Sequence, residues 1–190
     1  MNRIEKISIL LGDVALPLMG YLFWHWNLYF ILLFFLLDQL SRTVFLPWRL
    51  KLTILSVKDK NKLIFRQFLL LLMELLVIHV TIYLQNPHID FGKEILSFLT
   101  YKDMGIQQGF ILLPLVIASE WMRINNELKL GIVGPRQIQI INQNKKNALF
   151  RIGYFALLAG ILNLIQLPEW SLVVTFLAFI TLLVFVQYKR

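Results

Sequence analysis

Four acidic residues, Asp13, Asp38, Glu74 and Glu120, stand inside long apolar runs. A carboxylate at the centre of a bilayer costs roughly 2.5–3.5 kcal/mol on insertion scales, so such a group faces protein or water. Glu74 lies near the middle of Leu63–Gln85, LIFRQFLLLLMELLVIHVTIYLQ, with no basic residue within a helical turn. It reads as a titrating site on a proton or ion path, or as one half of a cross-helix or cross-subunit pair. Asp38 and Arg42 are four apart with the acid first, the favourable order for a helical ion pair. On a conduction path they would be a gate or counter-charge. Glu120 and Arg123 are three apart. Asp13 reads as a water-exposed residue of the inner leaflet. Gln67, Glu74, Thr81 and Gln85 project within about 40° of one another at 100° per residue, a polar stripe that must face protein or water.

Other chemistries lack their residues. The chain has no cysteine, which excludes disulfides, thiol catalysis and cysteine-ligated metal. No GxSxG, Walker A or HExxH pattern occurs. His25, His79 and His88 have no ligand spacing, so no metal site is expected. No cofactor and no catalytic residue is expected. The basic and acidic side chains of Glu120, Arg123 and Arg136 could hold an anionic lipid headgroup, the basis of a third reading as a lipid binder or membrane enzyme.

The polar residues need helices to hold them. Of the 190 residues 58% are hydrophobic, mean hydropathy is +0.67, and the excess lies in continuous runs, which points to lipid as the solvent. The pattern predicts an all-α integral membrane bundle, a single transmembrane domain over 1–190. Six spans are expected, at about 7–24, 28–46, 63–85, 106–124, 149–166 and 170–188. Arg3 and Lys6 give the first a signal-peptide look, but Asp13 interrupts it and no cleavage site follows, so it reads as an uncleaved span. Leu63–Gln85 would reach about 34 Å as a helix and is expected to lie buried in the bundle.

The net charge is +8, and 17 of the 19 Lys and Arg fall toward one side, in its tails, its connections and the adjoining parts of the spans. The positive-inside rule therefore predicts both termini in the cytoplasm, and membrane orientation replaces nucleic acid as the reason for the charge. Trp24, Trp26, Trp48, Trp121 and Trp170 sit near span ends, where aromatic belts form. Asp90–Tyr101 patterns as an outer interfacial helix with Asp90 as a cap. Arg136–Ile140 alternates polar and apolar residues, and an irregular or interfacial segment is expected there. Gly153, Ala156 and Gly160 put a small-residue face on the fifth span, a surface for close helix packing inside the chain or with another chain. The sixth span has no ionisable residue before its end and is expected to face lipid.

Little chain lies outside the apolar runs. The leading functional expectation is thus a non-enzymatic subunit or accessory factor of a larger membrane complex, in a bacterial cytoplasmic (inner) membrane. Its partners would be the bilayer and other membrane subunits. The competing expectation is a small proton- or ion-coupled transporter or channel using Glu74 and Asp38.

Overall fold

A computed structural model describes residues 14–51, 53–100, 108–129, 131 and 134–188. They form seven helices and, among the described residues, no strand: α1 (Leu16–Phe23), α2 (Leu28–Lys51), α3 (Val57–Gln85), α4 (Phe91–Thr100), α5 (Gln108–Lys129), α6 (Pro135–Leu162) and α7 (Glu169–Tyr188). Asp13 lies outside the described residues.

Local chemistry sets the helix ends. The Asn27 side chain accepts from the Phe30 N–H at 2.8 Å, and a second orphan donor of α2, the Leu28 N–H, is taken by the Glu169 carboxylate at 2.6 Å. Ser56 caps α3, accepting from the Asp59 N–H, while the Asp59 carboxylate accepts from the Ser56 hydroxyl. Asp90 caps α4 through the Lys93 N–H at 3.1 Å. Pro135 starts α6. The Arg136–Ile140 stretch expected to be irregular is thus the first turn and a half of a 28-residue helix. Its apparent alternation is a short sample of a helical pattern in which Gln137 and Ile141 are buried.

α2 is the hub. It touches α1, α3, α4, α5 and α7, and its first half, from Leu28 to Leu36, is buried except at Leu33. α3, expected to lie buried in the bundle, is peripheral by comparison. One face of it packs, and the other leaves Phe65, Phe68, Leu69, Leu72, Met73, Leu76, Val80 and Tyr83 exposed. α7 is divided likewise: Leu172, Val173, Phe176, Ile180 and Val184 are buried, and Val174, Leu182, Phe185 and Val186 are exposed.

Among the described residues three helices, α2, α3 and α7, are long and apolar enough to cross a membrane, where six were expected. α5 falls short because Glu120, Arg123 and Glu127 interrupt it, and α6 because its first half, PRQIQIINQNKKN, is polar. Of the first expected span, the described helix covers eight residues.

The short connections meet at one end. Asn27 donates to Glu94 at 3.0 Å, Gln85 donates to the Leu167 carbonyl at 2.9 Å, and Glu169 caps α2. An aromatic core lies under this end, with Phe35 edge-on to Phe176 and Phe30 edge-on to Phe98. Trp26, expected in a surface belt, is 2% exposed. It folds back on α1, where a Cβ at Gly20 would sit 2.4 Å from the indole, so only glycine admits this approach. The opposite end carries the connections at 51–57 and 129–135 and most of the buried charge.

Candidate functional site

The charged half of the bundle holds a polar core built by α2, α3, α5 and α6. Its deepest part joins three helices. Glu74, 1% exposed, receives two hydrogen bonds from the Arg151 guanidinium, Nε to Oε1 at 2.5 Å and Nη2 to Oε2 at 3.2 Å. The same Nη2 donates to Gln39 Oε1 at 3.0 Å, leaving the buried Gln39 Nε2 without a partner. Glu74, which has no basic residue within a turn of its own helix, thus has a partner across helices, one of the arrangements its sequence leaves open. Its base comes from α6, 77 residues away.

A seam explains why these residues meet. Along α3, positions 67, 71, 74, 78, 81 and 85 alternate spacings of four and three, and each is buried or half-buried. Along α6 the same alternation runs through 137, 141, 144, 148, 151, 155, 158 and 162. α3 and α6 run parallel and pack through these rows, in the manner of a coiled coil. The polar stripe Gln67, Glu74, Thr81 and Gln85 lies on this seam. Thr81 Oγ1 is 3.3 Å from the Phe155 carbonyl, and Gln85 reaches past the end of α6 to Leu167.

Nearer the charged end, Asp38 and Arg42 form the expected pair at 2.6 Å, and Arg42 also donates to Asn144. Beyond it lies a cluster centred on Arg49, 1% exposed. Its Nε donates to Glu120 at 3.2 Å and its Nη2 to Glu127 at 3.1 Å; Nη1 lies 3.0 Å from Glu127 Oε2 without hydrogen-bond alignment. Arg123 contacts the other oxygen of Glu120, as its spacing predicts, and Gln137 donates to Glu127 at 2.9 Å. A cavity of about 10 Å³, lined by Arg42, Leu46, Arg49, Gln67, Ile141 and Asn144, lies in this core. That is close to the space of one water, and the lining offers several polar partners.

The structure brings together Asp38, Arg42, Glu74, Glu120, Arg123 and the Gln67–Gln85 stripe. Gln39, Arg49, Glu127, Gln137, Asn144 and Arg151 were not singled out by the sequence: Arg49 and Arg151 stand near span ends, where arginines read as topogenic, and the others are ordinary polar residues until their neighbours are known. The alternating spacing through Gln137, Asn144 and Arg151 was the available signal. Gly153, Ala156 and Gly160 lie elsewhere. All three face outward, and nothing lies within 4 Å of a Cβ built at Gly153 or Gly160. Among the described residues nothing packs closely against Gly153 or Gly160. Among the histidines, His79 bridges the Tyr29 hydroxyl at 2.9 Å and the Leu75 carbonyl at 2.8 Å. No cluster of metal-ligating side chains occurs among the described residues.

In charge the core balances. Asp38, Glu74, Glu120 and Glu127 face Arg42, Arg49, Arg123 and Arg151. Each acid has a guanidinium at contact distance, the condition under which charges persist away from water. Comparison with family models, with curated proteins and with solved structures finds no match.

Proposed function

We propose that the chain is a multi-pass membrane protein serving as a non-enzymatic subunit or accessory component of a larger membrane assembly. It crosses six times, with both termini on the cytoplasmic side. The reading of α5 and α6 as further crossings is supported by their outer faces: Ile111, Leu115, Ile117 and Met122 on α5, and Leu149, Phe150, Leu157 and Ile161 on α6, are exposed. Glu120 and Glu127 of α5 and Arg151 of α6 point inward beneath those faces, the reverse of a helix in water, while Lys129, Arg136 and Lys146 at the charged end stay exposed. The orientation is supported by the basic residues that flank the 51–57 and 129–135 connections.

The observation that carries the functional assignment is the neutralisation of the buried acids by arginines of the same chain. A carboxylate engaged by two guanidinium nitrogens is a poor proton carrier and a good structural clamp. The uncovered Gly153–Gly160 face supports a helix from another subunit, since small residues permit the close approach on which association in lipid depends. Purification in mild detergent followed by mass spectrometry tests the assignment. A stoichiometric partner that Gly153→Leu with Gly160→Leu releases is expected; a lone monomer overturns it.

One observation favours the competing reading, a proton- or ion-coupled transporter built on Glu74 and Asp38. The water-sized cavity beside Arg42, Gln67 and Asn144 would allow hydration of the core. Reconstituted flux abolished by Glu74→Gln in a folded protein would move the assignment there.

A further inference from the structure

A second cavity is unlike the polar one. It lies between α2 and α5, holds about 150 Å³, and is lined chiefly by Leu37, Leu40, Val44 and Phe45 of α2 and by Leu113 and Ile117 of α5. Its one polar wall group, the Ser41 hydroxyl, is already spent on the Asp38 carbonyl at 2.9 Å. An engineered apolar cavity of about 150 Å³ stays dry and takes benzene, so this one has room for a chain segment of about six carbons. It opens on the outside of the bundle, where Leu40, Val44 and Ile117 are exposed.

The charged end of the groove is what marks its occupant. One turn beyond Val44 and Ile117, the indoles of Trp48 and Trp121 meet edge to face at 5.2 Å between α2 and α5, and Phe45 packs against Trp121. Both indoles are partly exposed, 44% and 39%, as rings at the headgroup level of a bilayer are. Lys51 Nζ lies 5.4 Å from the centre of the Trp48 ring and makes no ion pair among the described residues. Seven residues separate Val44 from Lys51, about 10 Å along a helix. An apolar slot, an indole gate and a cation therefore follow one another along one groove.

We propose that this groove binds an anionic phospholipid, with one acyl chain between α2 and α5 and the phosphate against Lys51 and the indole N–H groups. The proposal rests on the membrane location inferred above and is independent of the partner subunit. Lipid supplies the apolar chain and the negative charge in one molecule, at the depth order that the groove presents.

Native mass spectrometry of the protein released from nanodiscs of equal parts phosphatidylglycerol and phosphatidylcholine tests it. The wild type is expected to retain phosphatidylglycerol preferentially. Val44→Trp, at an exposed position, fills the slot and should remove the retained lipid, with an unchanged melting temperature in detergent as the check that the variant is folded. Lys51→Gln should weaken the preference for phosphatidylglycerol roughly five-fold, the worth of one cation near the surface. Equal retention by Val44→Trp and wild type overturns the site. So does a copurifying protein helix crosslinked at position 44 in place of lipid. A chain that stays dissolved without detergent overturns the membrane reading as well; one that needs detergent but shows either of the first two results overturns the lipid site alone.

Discussion

Replacing Glu74 by Gln leaves the Arg151 guanidinium buried without its counter-charge. Breaking one side of such a pair costs about 3–5 kcal/mol. Removing both charges together, as Glu74→Gln with Arg151→Gln, abolishes the uncompensated charge and is expected to recover most of that loss. Thermal unfolding of the purified protein in detergent, read across the four members of the cycle, measures the coupling; additive losses would mean that the two residues act separately. The same reasoning separates a clamp from a carrier: a clamp tolerates the neutral double variant, and a proton path does not. Glu74 was conspicuous in the sequence because it interrupts an apolar run. Arg151 was not, because an arginine at the start of an apolar run has an ordinary explanation in membrane orientation.

Among the elements, α4 offers a measurable titration outside the apolar helices. The Lys93 backbone N–H, assisted by the Lys93 ammonium 3.4 Å away, holds the Asp90 carboxyl below its usual value. A lowered folded-state pKa means support that is complete above the unfolded value of about 3.9 and is lost as pH falls through the folded value. Protection of the α4 amides from exchange, corrected for intrinsic rates, should therefore decline on acidification below about pH 4. Asp90→Asn keeps the cap but removes that charge, so its protection should depend less on pH over that range, the remainder coming from Glu94 in the first turn of the same helix. Helix limits were partly legible beforehand. The start of α2 at Leu28 and the end of α3 at Gln85 coincide with changes of composition. The extension of α6 back to Pro135 was hidden, since a helix packed on a parallel neighbour by a polar seam needs no apolar run to announce it.

At the level of the whole molecule, the absence of native cysteine makes topology directly measurable. Single-cysteine variants at Lys58 and Lys145 should react with an impermeant maleimide from one face of sealed vesicles, and a variant at His88 from the other. Labelling of positions 58 and 145 from opposite faces would sink the arrangement. The three converging connections give this expectation a structural basis: Asn27–Glu94, Gln85–Leu167 and Leu28–Glu169 hold one end of the bundle together.

Composition and order of residues alone determined that the chain is helical, that it holds helices apolar enough to cross a membrane, and that Asp38–Arg42 and Glu120–Arg123 pair, because these properties depend on neighbours within a turn or a run. Tertiary structure alone decided that α2 is the hub, that Arg151 answers Glu74, and that Arg49 sits between Glu120 and Glu127. Those outcomes depend on which helices lie side by side and in what register, a free energy shared across distant segments. A lipid-exposed face and a packed face of equal hydrophobicity look the same until their neighbours are known, which is why the element at the hub of the bundle was a reading that changed.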